Sequence, residues 1–375
     1  MKGSIRQRSK GSWEIRYAIS DPQSGKRRHF GETVTGSKKE AERVLRERIT
    51  SVEDGSYVVR NKETVSEFLS VWLDTYAVSN VSVRTLHGYR GYINRYIDTT
   101  IGKIPIQSLT VRHVQQVYSG MLVKGLSHTT VVQLHRIFRQ ALSHAVRWGI
   151  LTRNVADATS PPRIHHKSIT MWDVDTIQRF LACSKGSKYQ HMYHLAILTG
   201  MRRSELTGLK WENVDTLRCV LSVVNTLQKI VGQGLVEGEP KTSKSRRSIA
   251  LAQDAIDVLH SIRGQQIEDQ LAAGPLWERT GYVFTQKDGL PVYPDMPSRE
   301  FARIVSRNNL PHLTFHGLRH AHATLALRAG VNLKVISERL GHSNISITAD
   351  IYSHVLPGMQ EEAARAVEGL LRSEK

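Results

Sequence analysis

Residues 316–324 read HGLRHAHAT and residues 340–355 read LGHSNISITADIYSHV. In the first, His316 and Arg319 are three residues apart, one helical turn, so both can face a single point. In the second, His342 and Tyr352 are ten residues apart. Two upstream segments complete the set: TGMRRSEL (199–206), with Arg202 and Glu205, and PKTSKSRRSI (240–249), with Lys241. The stretch that holds them starts near residue 168 and mixes periods. TMWDVDTIQRFLAC and YQHMYHLAILTG repeat as helices, and the chain is helical again from Ala252 onward. LRCVLSVVNTL reads as a strand, and the segments around GLVEGEPKTSKSRRSIAL read as a hairpin carrying Lys241 near its tip. The expectation for 168–375 is a mixed, mainly α domain with a small β-sheet. Its tail, 357–375, is a helix set off by Pro357-Gly358.

Upstream, residues 62–152 are expected to form an all-α helical bundle. Thr64 and Glu67 make a capping-box pattern before Val65, Phe68, Leu69, Trp72 and Leu73. A second helix runs through RTLHGYRGYINRYI, and Thr110 and Ser127 are caps for a third and a fourth, the last ending at Gly149. The aromatic residues are core, whereas Arg84, Arg90, Arg95, Arg136, Arg139 and Arg147 face outward. Residues 153–167 lack periodicity and contain Pro161-Pro162, the pattern of a linker.

Residues 1–58 read as a small α+β domain, a three-stranded sheet plus a helix. Trp13, Ile15, Tyr17 and Ile19 alternate with polar neighbours, GSIRQR and RRHFGETV supply flanking strands, and Ser37 with Glu40 caps a helix. The alternation puts Arg6 and Arg8, with Arg16, on an exposed sheet face.

Composition limits the partner. Lys and Arg number 52 against 34 Asp and Glu, a net charge of +18. The net is +6 over residues 1–60, +7 over 61–165 and only +5 over the remaining 210. Positive density thus concentrates in the first two regions, as expected of surfaces that hold nucleic-acid phosphates. No apolar run approaches the ~18 residues of a membrane span, and MKGSIRQRSKG lacks the apolar core of a secretory signal. Cys183 and Cys219 are the only cysteines and have no metal-ligand spacing. These features point to a reduced, intracellular, soluble protein with a polyanionic partner.

The four segments, in their order, resemble the tyrosine recombinases of the phage-integrase type. That pattern has an Arg in a T-G-x-R turn, a hairpin Lys, an H-x-x-R pair, a His in L-G-H, and a Tyr about ten residues on. The resemblance is strong over 168–375. With lower specificity it extends to a core-binding domain (62–152) and an arm-type DNA-binding domain (1–58). It implies a site-specific DNA recombinase that cuts and rejoins strands through a covalent 3′-phosphotyrosine and integrates or excises a mobile element. It also implies a homotetramer on double-stranded DNA with the C-terminal tail exchanged between protomers, together with accessory DNA-bending or directionality factors. No cofactor or metal is called for, because guanidiniums neutralise the charge a metal would otherwise carry. The implied catalytic set is Arg202, Lys241, His316, Arg319, His342 and Tyr352, with Glu205 orienting the cluster. Arg6, Arg8, Arg16, Arg84, Arg90, Arg136 and Arg139 are the candidate DNA contacts.

Three other readings fit parts of the pattern. They are a type IB topoisomerase, a DNA-binding regulator with a vestigial site, and a nuclease using the histidine run 316, 320 and 322 to hold a metal. The last has no carboxylate or cysteine at a matching spacing. Lys244 competes with Lys241 for the hairpin role, and Arg203 reads as a surface charge or ion-pair partner.

Overall fold

The computed structural model describes residues 3–20, 27–53, 58, 61–164, 172–239, 245–342 and 344–352, together with 365, 368 and 371. The chain divides into two compact units, Met1–His166 and Lys167–Lys375.

In the first unit, β1 (Ser4–Ser9), β2 (Ser12–Ser20) and β3 (Arg27–Thr35) form an antiparallel sheet in that order. Helix α1 (Lys38–Glu53) starts at the expected box, with the Ser37 N–H donating to the Glu40 carboxylate (2.7 Å) and the Glu40 N–H to Ser37 Oγ (3.3 Å). Period-two alternation sends Ile15 and Tyr17 inward to pack with Ala41 and Leu45. Arg6 pairs in register with Glu14, and Ser4 with Arg16. Arg6, Arg8 and Arg16 are exposed, and Glu14 pairs with both Arg8 (3.2 Å) and Arg16 (3.3 Å).

The same unit holds a separate helical core. Helix α2 (Val65–Trp72) opens with the Thr64–Glu67 capping box and continues through a π-turn at Leu73–Ala77 into α3 (Val78–Asn80). Helix α4 (Val83–Tyr92) runs into a second π-turn at Ile93–Ile97. Thr110 caps α5 (Val111–Val123) and Ser127 caps α6 (His128–Arg147). Phe68, Trp72, Tyr118 and Phe138 are buried together, Tyr76, Tyr89, Tyr92 and Tyr96 are partly buried against them, and Trp148 departs from the expected core placement by being exposed. Arg84, Arg90, Arg95, Arg136, Arg139 and Arg147 are exposed; Arg90 pairs with Asp74 and Arg139 with Asp157, each at 2.6 Å. The aperiodic segment after α6 is not wholly extended. Val155 and Ala156 form part of a short 3-10 turn and pack into this core.

The second unit contains α7 (Val174–Cys183), α8 (Gln190–Thr199) and α9 (Arg203–Thr207), then, among the described residues, five short strands. These are β4 (Val214–Asp215), β5 (Val220–Val223), β6 (Thr226–Ile230), β7 (Gly234–Gly238) and β8 (Arg247–Ala250). They pair as β4-β5-β8 and, separately, β6-β7. Two expectations are corrected here. LRCVLSVVNTL is not one strand but β5 and β6 in different sheets, and the strands flanking residues 240–246 do not pair with each other. The cause is packing. Leu221, Val223 and Ile249 sink into the main core, while β6 crosses over Gly208 so closely that a Cβ there would lie 2.8 Å from the Leu227 nitrogen.

Helices α10 (Gln253–Ala273), α11 (Asp295–Arg307), α12 (Gly317–Arg328), α13 (Leu333–Leu340) and α14 (Ile345–Tyr352) follow. Trp172, Phe180, Tyr193, Phe301 and Phe315 anchor its main core. Among the described residues, Ile336 and Leu340 of α13 pack with Ala323 in a small cluster separate from the main core. Of the predicted tail, 357–375, the structure describes Arg365, Glu368 and Leu371, each helical and exposed, whereas the break at Pro357-Gly358 and Lys241 with Lys244 lie outside the described residues.

Candidate active site

Two helix ends build the site. Helix α8 stops at Gly200 and α13 at Gly341, each with φ of +67°, a left-handed cap that glycine adopts without strain. A helix C-terminus leaves its last carbonyls without helical partners and carries partial negative charge. Guanidiniums supply donors. Arg319, only 2% exposed, donates to the Gly200 carbonyl at 2.9 Å and the Leu340 carbonyl at 2.6 Å. Arg202 donates to the Gly341 carbonyl at 3.1 Å. Gly200 also needs its missing side chain, since a Cβ there would come within 2.7 Å of both His322 and Leu340.

Glu205, buried in the first turn of α9, accepts from Arg202 (2.7 Å) and bidentately from Arg247 (2.9 and 3.2 Å). Burial by itself would push the carboxyl up, but the hydrogen bonds and charge of Arg247, with Arg202, outweigh it and hold the group below the ordinary carboxylate range. The expectation that Glu205 orients the cluster therefore has a geometry: one carboxylate fixes two arginines.

The histidines are held neutral. His316 is exposed at the surface, yet partial desolvation by the protein around it, and then His320, Arg319 and Arg202, push it down to about 4. His342 falls to about 4 from burial, then Arg319 and Arg202. His342 Nδ1 meets Thr348 Oγ1 at 2.8 Å, which ties it to α14 one turn before Tyr352. The backbone of Tyr352 ends that helix, and its side chain lies outside what the structure describes. Arg202, Glu205, His316, Arg319 and His342 thus converge.

The histidine run does not gather as a ligand set. His316 and His320 meet edge-on with ring centres 5.1 Å apart, while His322 Nδ1 lies 2.8 Å from the Ile197 carbonyl and its Nε2 accepts from Arg339 at 3.2 Å. Arg203 bonds Ser298 (2.8 Å) and pairs with Asp295 (3.5 Å).

Arg247 and Arg339 belong to this network although their motifs did not single them out, and so does His322, which the sequence had marked only as a possible metal ligand. The signal was present in the periodicity. Arg247 shares strand parity with buried Ile249, and Arg339 stands three residues after buried Ile336.

The phage integrase family profile matches residues 167–359, and that family's SAM-like N-terminal domain matches residues 64–122. The chain belongs to the phage integrase family. A relative named tyrosine recombinase XerC-like, from Caldanaerobacter subterraneus subsp. tengcongensis, is 28% identical over 96% of each chain. The fold is shared with the Tn1549 transposon integrase solved in complex with a circular intermediate DNA, with a TM-score of 0.70 and 24% identity over 82% of this chain and 99% of that one. It is shared too with a lambda integrase tetramer bound to a Holliday junction, with a TM-score of 0.59 and 18% identity over 92% and 94% of the two chains. As a phage-integrase family member, the chain is a tyrosine recombinase, a site-specific enzyme that cuts and rejoins DNA strands.

Proposed function

We propose that the family's chemistry runs here through Tyr352, Arg202, Arg319, His316, His342 and Lys241. Tyr352 Oη attacks the scissile phosphorus in line. The bond to the 5′-oxygen breaks, leaving a 3′-phosphotyrosyl link and a 5′-hydroxyl. Lys241 gives that oxygen its proton, and His316, neutral at physiological pH, takes the proton of the tyrosine hydroxyl. Arg202 and Arg319 neutralise the non-bridging oxygens. With Nδ1 engaged by Thr348, His342 presents Nε2 to the phosphate. Religation is the reverse attack by a 5′-hydroxyl, so the bond energy is conserved and no ATP is required.

The observation that supports this reading is the convergence of both arginines on two helix ends, with His342 directly after one of them, His316 beside the arginines, and the helix that ends in Tyr352 alongside. The division of labour we propose gives arm-type DNA to residues 1–58, core DNA to 62–152 and chemistry to 168–375. The lambda relative's tetramer on a Holliday junction supports assembly as a DNA-bound tetramer. Exchange of the C-terminal tail, accessory bending or directionality factors, and action at the nucleoid of a bacterial host belong to the same proposal.

The test is a nicked suicide core substrate incubated in EDTA and then denatured. A covalent protein–DNA adduct is expected from the intact chain and not from Tyr352→Phe. Failure of the intact chain to form an adduct, or its persistence in Tyr352→Phe, overturns the assignment. Relaxation of plasmids lacking recombination sites, without exchange between sites, would move the reading to a topoisomerase.

A further inference from the structure

We infer that Arg339 is a positioning residue of the recombination reaction, setting the helix end on which the two phosphate-facing arginines rest. Helix α13 carries the Leu340 and Gly341 carbonyls that receive Arg319 and Arg202, and it leads into His342. Among the described residues its apolar attachment is small though fully buried: Ile336 and Leu340 pack with Ala323 in a cluster apart from the main core. Apolar contacts are non-directional, so these few side chains seat the helix without fixing its axial position to within a fraction of an ångström.

The attachment is polar, and Arg339 is its centre. Its guanidinium donates through Nη1 to the Ala250 carbonyl (3.0 Å), through Nη2 to the Leu198 carbonyl (3.1 Å) and through Nε to His322 Nε2 (3.2 Å). One planar fork therefore joins α13 to the end of β8, the last turn of α8 and the middle of α12. Its own backbone carbonyl accepts from Arg247 Nε at 2.5 Å, and Arg247 also holds Glu205. Each element that bears a proposed phosphate-binding group is thus tied to the next through Arg339 or the residue it receives.

His322 is matched to this task. The Ile197 carbonyl can only accept, so Nδ1 carries the proton and Nε2 is the acceptor Arg339 needs. Burial, and after it the Arg339 charge, push His322 down to about 4, so the acceptor tautomer persists at neutral pH. A lysine at 339 would keep the charge but could not reproduce three donors in fixed directions.

The inference rests on the catalytic reading above and is tested beside it. Single-turnover adduct formation at saturating nicked core DNA is measured together with core-site Kd and thermal midpoint. The chains are wild type, Arg339→Lys, His322→Gln and His322→Leu. Displacing a reacting group by about 1 Å can cost roughly 100-fold. Arg339→Lys is therefore expected to slow adduct formation by about ten- to 100-fold with Kd unchanged. His322→Gln, whose amide oxygen can accept from Arg339, is expected to react faster than His322→Leu. A wild-type rate in Arg339→Lys, or parallel losses of rate and affinity, overturns the inference. So does His322→Leu matching His322→Gln at the same thermal midpoint. If Arg339→Lys fails to fold, the histidine pair decides alone. Lack of an adduct from wild type overturns instead the catalytic reading.

Discussion

Arg247 and Glu205 face each other through two hydrogen bonds, at 2.9 and 3.2 Å, with their side chains 6% and 1% exposed. The same carboxylate holds Arg202, whose side chain is 31% exposed. One buried anion therefore serves an inner arginine that never needs solvent and an outer one that does. Removing it leaves a buried guanidinium uncompensated, which costs about 3–5 kcal/mol in comparable pairs. Glu205→Gln is expected to lower stability on that scale and adduct formation by at least tenfold, since Arg202 loses its support. Urea unfolding and single-turnover cleavage measure the two separately. Wild-type values for both would show that the pair orients nothing.

Acid should weaken the fold before it protonates most carboxylates. His322 and His342, both half-buried, are pushed down to about 4 from an ordinary value of 6.5, and His316, shifted the same way but exposed, adds less. Between those values the unfolded chain binds protons that the folded chain refuses, so stability falls as pH falls from about 6.5 towards 4. Glu205 adds to this at the lower end, because its depressed value means its contribution is lost as pH drops below 4.5 and through the folded value. The thermal midpoint is expected to fall steadily from pH 7 to 4.5. A flat or rising midpoint would show that the fold does not hold these rings in their neutral form.

Phosphate should reverse the sign at two of these histidines. An anion beside His316 and His342 favours their charged forms and raises both values. Core DNA binding near pH 5.5 is expected to take up protons, seen as a binding enthalpy that changes with the buffer's own ionisation enthalpy. Substituting His342→Gln should reduce the uptake; identical enthalpies in two buffers would rule the coupling out.

In the helical region the Trp72 indole N–H donates to His144 Nδ1 at 2.7 Å, both groups buried. Trp72→Phe leaves that nitrogen without its donor, at a cost of about 1–3 kcal/mol before any loss of packing. Trp148, 41% exposed, is the control, and Trp148→Phe should change stability by only about 0.5 kcal/mol. Chemical denaturation compares the two, and equal effects would deny the hydrogen bond its role.

On the N-terminal sheet, Arg6→Ala, Arg8→Ala and Arg16→Ala should each reduce the salt dependence of arm-site binding by about one unit of slope. Deleting residues 1–60 should lower recombination more than core-site cleavage. Equal losses would place this module in the cleavage step.

The sequence by itself determined a great deal here, because local rules act over a few residues. Capping pairs set the starts of α1 and α2, alternation set the faces of β2, and four ordered motifs named the chemistry. The pairing of β5 with β8, and of β6 with β7, was decided by tertiary packing. A strand's alternation is the same whichever sheet receives it, and only the core against Leu221 and Ile249 and the crossing at Gly208 choose. The site divides the same way. Motif spacing marks Arg202, His316, Arg319 and His342, since helical turns and chain order carry it. Arg247, His322 and Arg339 bond mainly to backbone carbonyls and to each other across intervals as long as 141 residues. Carbonyls have no sequence signature, so those partners exist only once two helix ends meet.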